Sequence, residues 1–327
     1  MIVSNGASVH CDGAGMSGFG PTVIVTGTGS VWSIGGELNM TGEYGDQLTL
    51  LDGGTLCVTN EMGTGTLNIA GASTLTLNGG KVKVDNLTDS VDMSSIKFNG
   101  GTLSTKATTI NNGSAFVVGD GTDAATFVMD KGGSGFHSFA NGLMISSNGA
   151  LRGLGTIIGA ATVSGGGVLA PGMSPGSITF SNSLTLAPNA TFAVELNGNA
   201  EGQYDQIIAL DIVTISNSVL NVSLGFTPLA GDSFTIISNL SATAVLGTFV
   251  TADGAALPNG AEFVVDGSTF QIDYTANADG QDVVLTAVVP EPSSLLLTAL
   301  GVLSLVAFLR RKRLSDGRYL GRASVGR

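Results

Sequence analysis

Positive charge is scarce in this chain until its last eighteen residues. Only Lys81, Lys83, Lys97, Lys106, Lys131 and Arg152 precede Arg310, against 24 of the 25 acids. The body therefore carries −18 and the tail from Arg310 onward +6. A body this acidic repels a phosphate backbone, which excludes nucleic acid as a partner. Cysteine is limited to Cys11 and Cys57, too few for a disulfide framework, and a single bridge between them stays open. Histidine is limited to His10 and His137. No Gly-x-Ser-x-Gly elbow, His-Glu-x-x-His pair or phosphate-binding loop occurs. The chain is accordingly expected to be non-enzymatic and to carry no cofactor. The 49 glycines lack the three-residue period of collagen. The first ten residues, "MIVSNGASVH", lack the basic and apolar regions of a secretory signal. A start upstream of Met1 is therefore expected.

What is present is strand chemistry. Short β-prone runs alternate with Gly, Asn and Asp turns: "DGGTLCV" at 52–58, "GTGTLNI" at 63–69, "NGGTLST" at 99–105 and "ATFVMD" at 125–130. Turns fall roughly every 8–12 residues, the spacing of an all-β fold, and helical periodicity is absent before residue 293. The recurring Gly-Gly-Thr-Leu theme favours a solenoid over a sandwich, because each rung buries its apolar face on its neighbours. Aromatics at 6% suit a narrow interior filled by Val, Leu, Ile and Ala.

The region after Asn148 is more distinctive. Gly153-Leu154-Gly155-Thr156, Leu169-Ala170-Pro171-Gly172, Ser174-Pro175-Gly176, Tyr204-Asp205-Gln206, and Pro228 with Gly231-Asp232 together resemble the passenger-associated β-strand repeats of bacterial autotransporters. The resemblance covers roughly 99–287. It implies an all-β fold, a right-handed parallel β-helix with a β-rich C-terminal cap. Pro171 and Pro175 mark a corner, since proline cannot donate to a central ladder. Asp205 and Asp232 fall at turns, where carboxylates cap backbone amides; functional carboxylates are the alternative.

The chain ends differently. Ser293 to Leu309 is uncharged, and ten of its 17 residues are Leu, Val or Phe. On an insertion scale these supply about −3 to −6 kcal/mol. As a helix the run is about 25 Å long, a short span for a bilayer core of about 30 Å that flanking arginines can extend by snorkelling. Arg310, Arg311, Lys312 and Arg313 follow directly and hold that end in the cytoplasm. One transmembrane helix over 293–309 therefore places the body outside the cytoplasm. Pro290 and Pro292 keep Glu291 extended just before the span.

Pro290-Glu291-Pro292, the apolar run and the basic cluster, in that order near a C-terminus, resemble a PEP-CTERM sorting signal. That resemblance implies recognition by an exosortase, an integral-membrane cysteine protease-transpeptidase. It also implies delivery to the cell surface or extracellular matrix, often together with exopolysaccharide. The usual signal stops soon after the basic cluster, whereas here Leu314 to Arg327 follow. The expected organisation is 1–149 solenoid repeats, 150–288 autotransporter-like repeats and cap, 289–313 sorting signal, and 314–327 a basic cytoplasmic tail. The expected partners are an exosortase, the lipid bilayer and exopolysaccharide.

Two rival functions remain open at this level. One is a carbohydrate-active β-helix enzyme of the polysaccharide-lyase kind, for which Arg152 or Lys131 would be the base. The other is a permanently anchored adhesin. No metal is expected. Asp120 and Asp123, or Asn277, Asp279 and Asp282, offer oxygen-rich turns suited to calcium, with ordinary Asx turns as the preferred reading. His137, within "GGSGFHSFANG", reads as a loop or surface residue. The Asn-x-Ser/Thr triplets at Asn86, Asn189 and Asn221 read as chance occurrences.

Overall fold

The computed structural model describes residues 1–130, 135–277, 281–289, 306–307 and 310–311. It divides into two units, Met1–Val288 and Val289–Arg327. The first unit is a β-solenoid of about nine turns. Each turn places one short strand on each of three faces, and successive turns pair in parallel. On the first face Ile2–Val3 pairs with Thr22–Thr26, and Thr22–Thr26 with Gln47–Leu51. On the second, Ser8–Cys11 pairs with Val31–Ile34 and then Thr55–Val58. On the third, Ala14–Met16 pairs with Glu37–Met40 and then Thr66–Ile69.

Parallel sheets are ordinarily covered on both sides and read as continuous apolar runs. Here one side of every strand faces water, so the sequence alternates instead. Val31–Ile34, Thr55–Val58 and Thr66–Ile69 all bury every second side chain. Inward residues stack in continuous ladders. On the second face the order is Trp32, Leu56, Val82, Leu103, Phe127, Leu151, Leu169, Phe192 and Leu220, all essentially buried. Each such side chain contributes about 1.5–3 kcal/mol by leaving water. The register is pinned because a one-residue slip would turn a whole ladder outward.

The coil length varies at the corners rather than in the strands. Leu143 stacks on Ala161, 18 residues later, whereas Thr214 stacks on Leu246, 32 later. This explains the irregular repeat in the sequence. The corner between the first and second faces is itself a ladder. Asn148, Gly166, Asn189 and Asn217 all have positive φ, between 51° and 82°. The Asn148 amide donates to the Gly166 carbonyl (3.1 Å), and the Gly166 amide to the Asn189 carbonyl (2.9 Å). Asn and Gly are the residues that tolerate this left-handed conformation. Asn189 thus serves the backbone at this corner.

On the third face, the last turn does not present an open parallel edge. Ser233–Asn239 pairs in parallel with Gln206–Ala209 on one side and antiparallel with Asp282–Val288 on the other. Asp282–Val288 also pairs with Ser268–Ala276, which pairs with Glu262–Val265. This antiparallel sheet covers an edge that would otherwise template further pairing. The Tyr274 hydroxyl links it to the coil, accepting from the Phe249 amide and donating to the Leu257 carbonyl, each at 2.9 Å. At 149–150 the coil is continuous, since Gly149–Gly153 pairs with Ala125–Met129 below and Val168–Pro171 above.

Candidate functional site

A groove crosses the outer side of the second face. Gly149–Gly153, Val168–Pro171, Thr191–Leu196 and Val213–Leu224 stack there in order. Alternation sends Arg152, Ala170, Ala193 and Asn221 outward. Arg152 lies beside Ala170, Ala193 beside Asn221, and Glu195 beside Ser223. The turn holding Met173 and Ser174 forms one wall of a cavity of about 360 Å³ over the small Ala170 and Ala193 side chains. A second, more open cavity of about 590 Å³ shares Asn221 and continues to Asp253, Glu262 and Asp266 of the cap region.

Asp205 organises the inner wall. Its Oδ1 accepts the Gly176 amide (2.8 Å) and its Oδ2 the Glu195 amide (2.9 Å). Burial pushes its pKa up to about 6; the two amide donors oppose the rise and the neighbouring Glu195 charge adds to it. The Oε2 atom of Glu195 is buried and has no hydrogen-bond partner among the described residues. Arg152 is exposed and forms no ion pair among them. Gly172, at φ +88°, closes the corner, where a Cβ would lie 2.9 Å from Asp205 Oδ1 and collide with the Gly176 amide nitrogen.

The other sequence candidates are dispersed. Asp232 caps the Leu229 amide at 2.7 Å, as a turn aspartate should. Asp120 caps Thr122 through both its amide (2.9 Å) and its hydroxyl (2.6 Å). Asp282 accepts the Asn239 amide at 2.7 Å and the Asn277 side-chain amide. Asp279 and Lys131 lie outside the described residues. No group of three or more His, Cys, Asp or Glu side chains is arranged to hold a metal among the described residues. Cys11 and Cys57 are both free, and burial raises the Cys57 pKa against the lowering charge of Lys83.

His137 corrects the surface reading. It lies within Phe136–Phe139, fully buried, on a ladder above Thr108. Its Nδ1 sits 3.1 Å from Thr108 Oγ1 and 3.4 Å from Thr105 Oγ1, and its ring packs edge-on against Phe127. Desolvation lowers its pKa to about 4, so it is neutral at physiological pH. The flanking glycines mask a strand whose inward positions are His137 and Phe139.

Sequence reasoning also missed a run of buried acids. Asp85 accepts the Asn60 and Gly65 amides, each at 3.0 Å, and pairs with Lys106 at 2.7 Å. Its burial raises the pKa, but the Lys106 bond and the two amides outweigh that and leave it lowered. Asp89 stands in the inward ladder between Ile69 and Ile110, held by Ser94 and by Asn112 at 2.7 Å. Burial raises its pKa against those two bonds. Its parity with Leu87 was the available signal.

At the chain's end, Val306–Ala307 and Arg310–Arg311 are helical, and both arginines are exposed. Pro290, Glu291, Pro292, Lys312, Arg313 and most of 293–309 lie outside the described residues. Among the described residues no helix is long and apolar enough to cross a membrane. Residues 288–313 match the family model described as the PEP-CTERM protein-sorting motif. Residues 1–288 thus form a β-solenoid, followed by a signal for export to the cell envelope, and the motif implies exosortase as its sorting partner. No curated protein matches the chain.

Proposed function

We propose that this protein is a non-enzymatic structural component of the cell surface or extracellular matrix, processed by an exosortase and associated with exopolysaccharide. The carrying observation is the sorting motif at 288–313 directly after a β-solenoid unit that ends at Val288. The apolar run 293–309 holds the chain in the inner membrane as one helix, with Arg310–Arg313 on the cytoplasmic side and the body outside. The body is a right-handed coil that acts as a spacer or matrix element.

A non-catalytic role is supported by how the candidate groups are used. Asp205 spends both oxygens on backbone amides. His137 is neutral and inside the core. The third face carries a polar array in which Asn68 donates to Asn39 (3.1 Å) and Thr88 to Asn68 (3.0 Å). Such a surface suits contact with hydrated polymer.

The test is mass spectrometry of the mature C-terminus in cells with and without their exosortase. Cleavage near Pro290-Glu291-Pro292 only when the exosortase is present is the expected result. A C-terminus that retains 293–309 in both strains overturns sorting and leaves an anchored protein.

A further inference from the structure

We infer that the groove running from Arg152 across Ala170 and Ala193 to Asn221 binds a segment of neutral, hydroxyl-rich polysaccharide. This rests on the exopolysaccharide association proposed above and assigns it a place and a ligand chemistry. The groove has the volume for it. Its two cavities, of about 360 and 590 Å³, have Asn221 in common as a wall, and each lies within the roughly 300–1,000 Å³ of small-molecule sites.

The chemistry of the walls selects the ligand. Glu195 stands half-buried in the wall, and its Oε2 has no hydrogen-bond partner among the described residues, an unmet acceptor that costs free energy. Arg152 presents five donors and has no carboxylate in salt-bridge reach among the described residues. Asn221 offers both a donor and acceptors. Adjacent sugar hydroxyls both donate and accept, so they satisfy this mixed set at once. Ala170 and Ala193 leave a flat, small floor on which a ring can lie.

Charge decides between neutral and acidic polymers. Among the described residues Arg152 is the single cation lining the two cavities, whose walls also carry Glu195 and, further along, Asp253, Glu262 and Asp266. A polyanion would set its charges against four exposed or half-buried carboxylates and a body of −18. A neutral chain meets no such repulsion, and each carboxylate becomes a hydroxyl acceptor.

The experiment is affinity electrophoresis of the full-length protein in mild detergent, through gels containing dextran, hydroxyethyl cellulose or alginate. Retardation by at least one neutral polymer and none by alginate is expected. Ala193→Trp, which fills the floor, and Arg152→Ala should each weaken that retardation at least tenfold. Thr185→Trp, outward on the first face, should not. Thermal unfolding of each variant distinguishes lost binding from lost fold. If the wild type is retarded by a neutral polymer and both groove variants match it, the groove assignment is wrong while polysaccharide association stands. Retardation by alginate alone overturns the ligand class. No retardation by any polymer removes both the groove and the exopolysaccharide association, and leaves exosortase sorting to be judged by its own test.

Discussion

The carboxylate of Asp205 accepts the backbone amide of Glu195 at 2.9 Å while its other oxygen accepts Gly176 at 2.8 Å. One buried side chain thus joins the corner after Pro171 to the strand Thr191–Leu196 and sets the wall of the groove. Because its pKa rises to about 6, its contribution to stability is complete below the unfolded value near 3.8 and is lost as pH climbs through about 6. Asp205→Asn removes the ionisation but leaves an NH2 facing an amide donor. We expect the variant to be about 1–3 kcal/mol less stable at pH 4. The deficit should shrink between pH 4 and 7, as measured by denaturant unfolding. A deficit independent of pH would show that Asp205 does not titrate in that range.

His137 works in the opposite sense. Its pKa is depressed to about 4, so its contribution is present above the unfolded value of 6.5 and is lost as pH falls toward 4. His137→Leu keeps the ring's space apolar and should flatten the acid limb of the unfolding profile between pH 6.5 and 4. The difference between wild type and variant isolates this group from Asp205, whose slope has the other sign.

The corner ladder predicts a sharp contrast at Asn189, whose φ is +62°. Asn189→Gly should change stability by only a few tenths of a kcal/mol, since glycine adopts this conformation freely. Asn189→Val should cost about 1–3 kcal/mol, because a β-branched residue is strained there. Equal thermal midpoints for the two variants would contradict the backbone role.

Tyr274→Phe deletes a hydroxyl that serves two buried backbone groups, the Phe249 amide and the Leu257 carbonyl. The tyrosine's own pKa, pushed up by burial to about 12 against the lowering Phe249 bond, reflects the same enclosure. We expect a loss of about 1–3 kcal/mol, with hydrogen exchange rising at Phe249 and in Ser268–Ala276 before the earlier turns. Uniform loss of protection along the coil would argue against a local link.

Replacing Glu291 with Ala, and separately replacing Arg310, Arg311, Lys312 and Arg313 with Gln, should affect sorting differently. The first should leave the chain inserted but uncleaved. The second should scramble orientation, because the bases oppose transfer across the membrane. Protease accessibility of the body in spheroplasts, read beside the size of the C-terminal fragment, separates these outcomes.

Much of the fold was legible along the chain because a solenoid uses local rules. Alternation in "TLCV" and "TLNI" reports one wet and one buried side, and Asn or Gly at the corners reports positive φ. The sorting signal was equally legible, being linear chemistry: prolines, apolar length and terminal bases. Aspartates such as Asp232 and Asp120 behaved as turn residues for the same short-range reason. The groove was not legible. Arg152, Glu195 and Asn221 are drawn from a stack of four turns, with Asp205 at the corner behind them, and only stacking brings them together. Nor did composition distinguish His137 and Asp89 from surface residues, since local polarity around them is high.

The sequence by itself determined an all-β coil and a PEP-CTERM ending, because strand alternation, turn chemistry and the motif act over a few residues. Only the tertiary structure decided which polar groups are core, which are caps and which face a groove. Those assignments depend on register between turns 18 to 32 residues apart. That register is set by the apolar ladders packing together rather than by any residue's immediate neighbours.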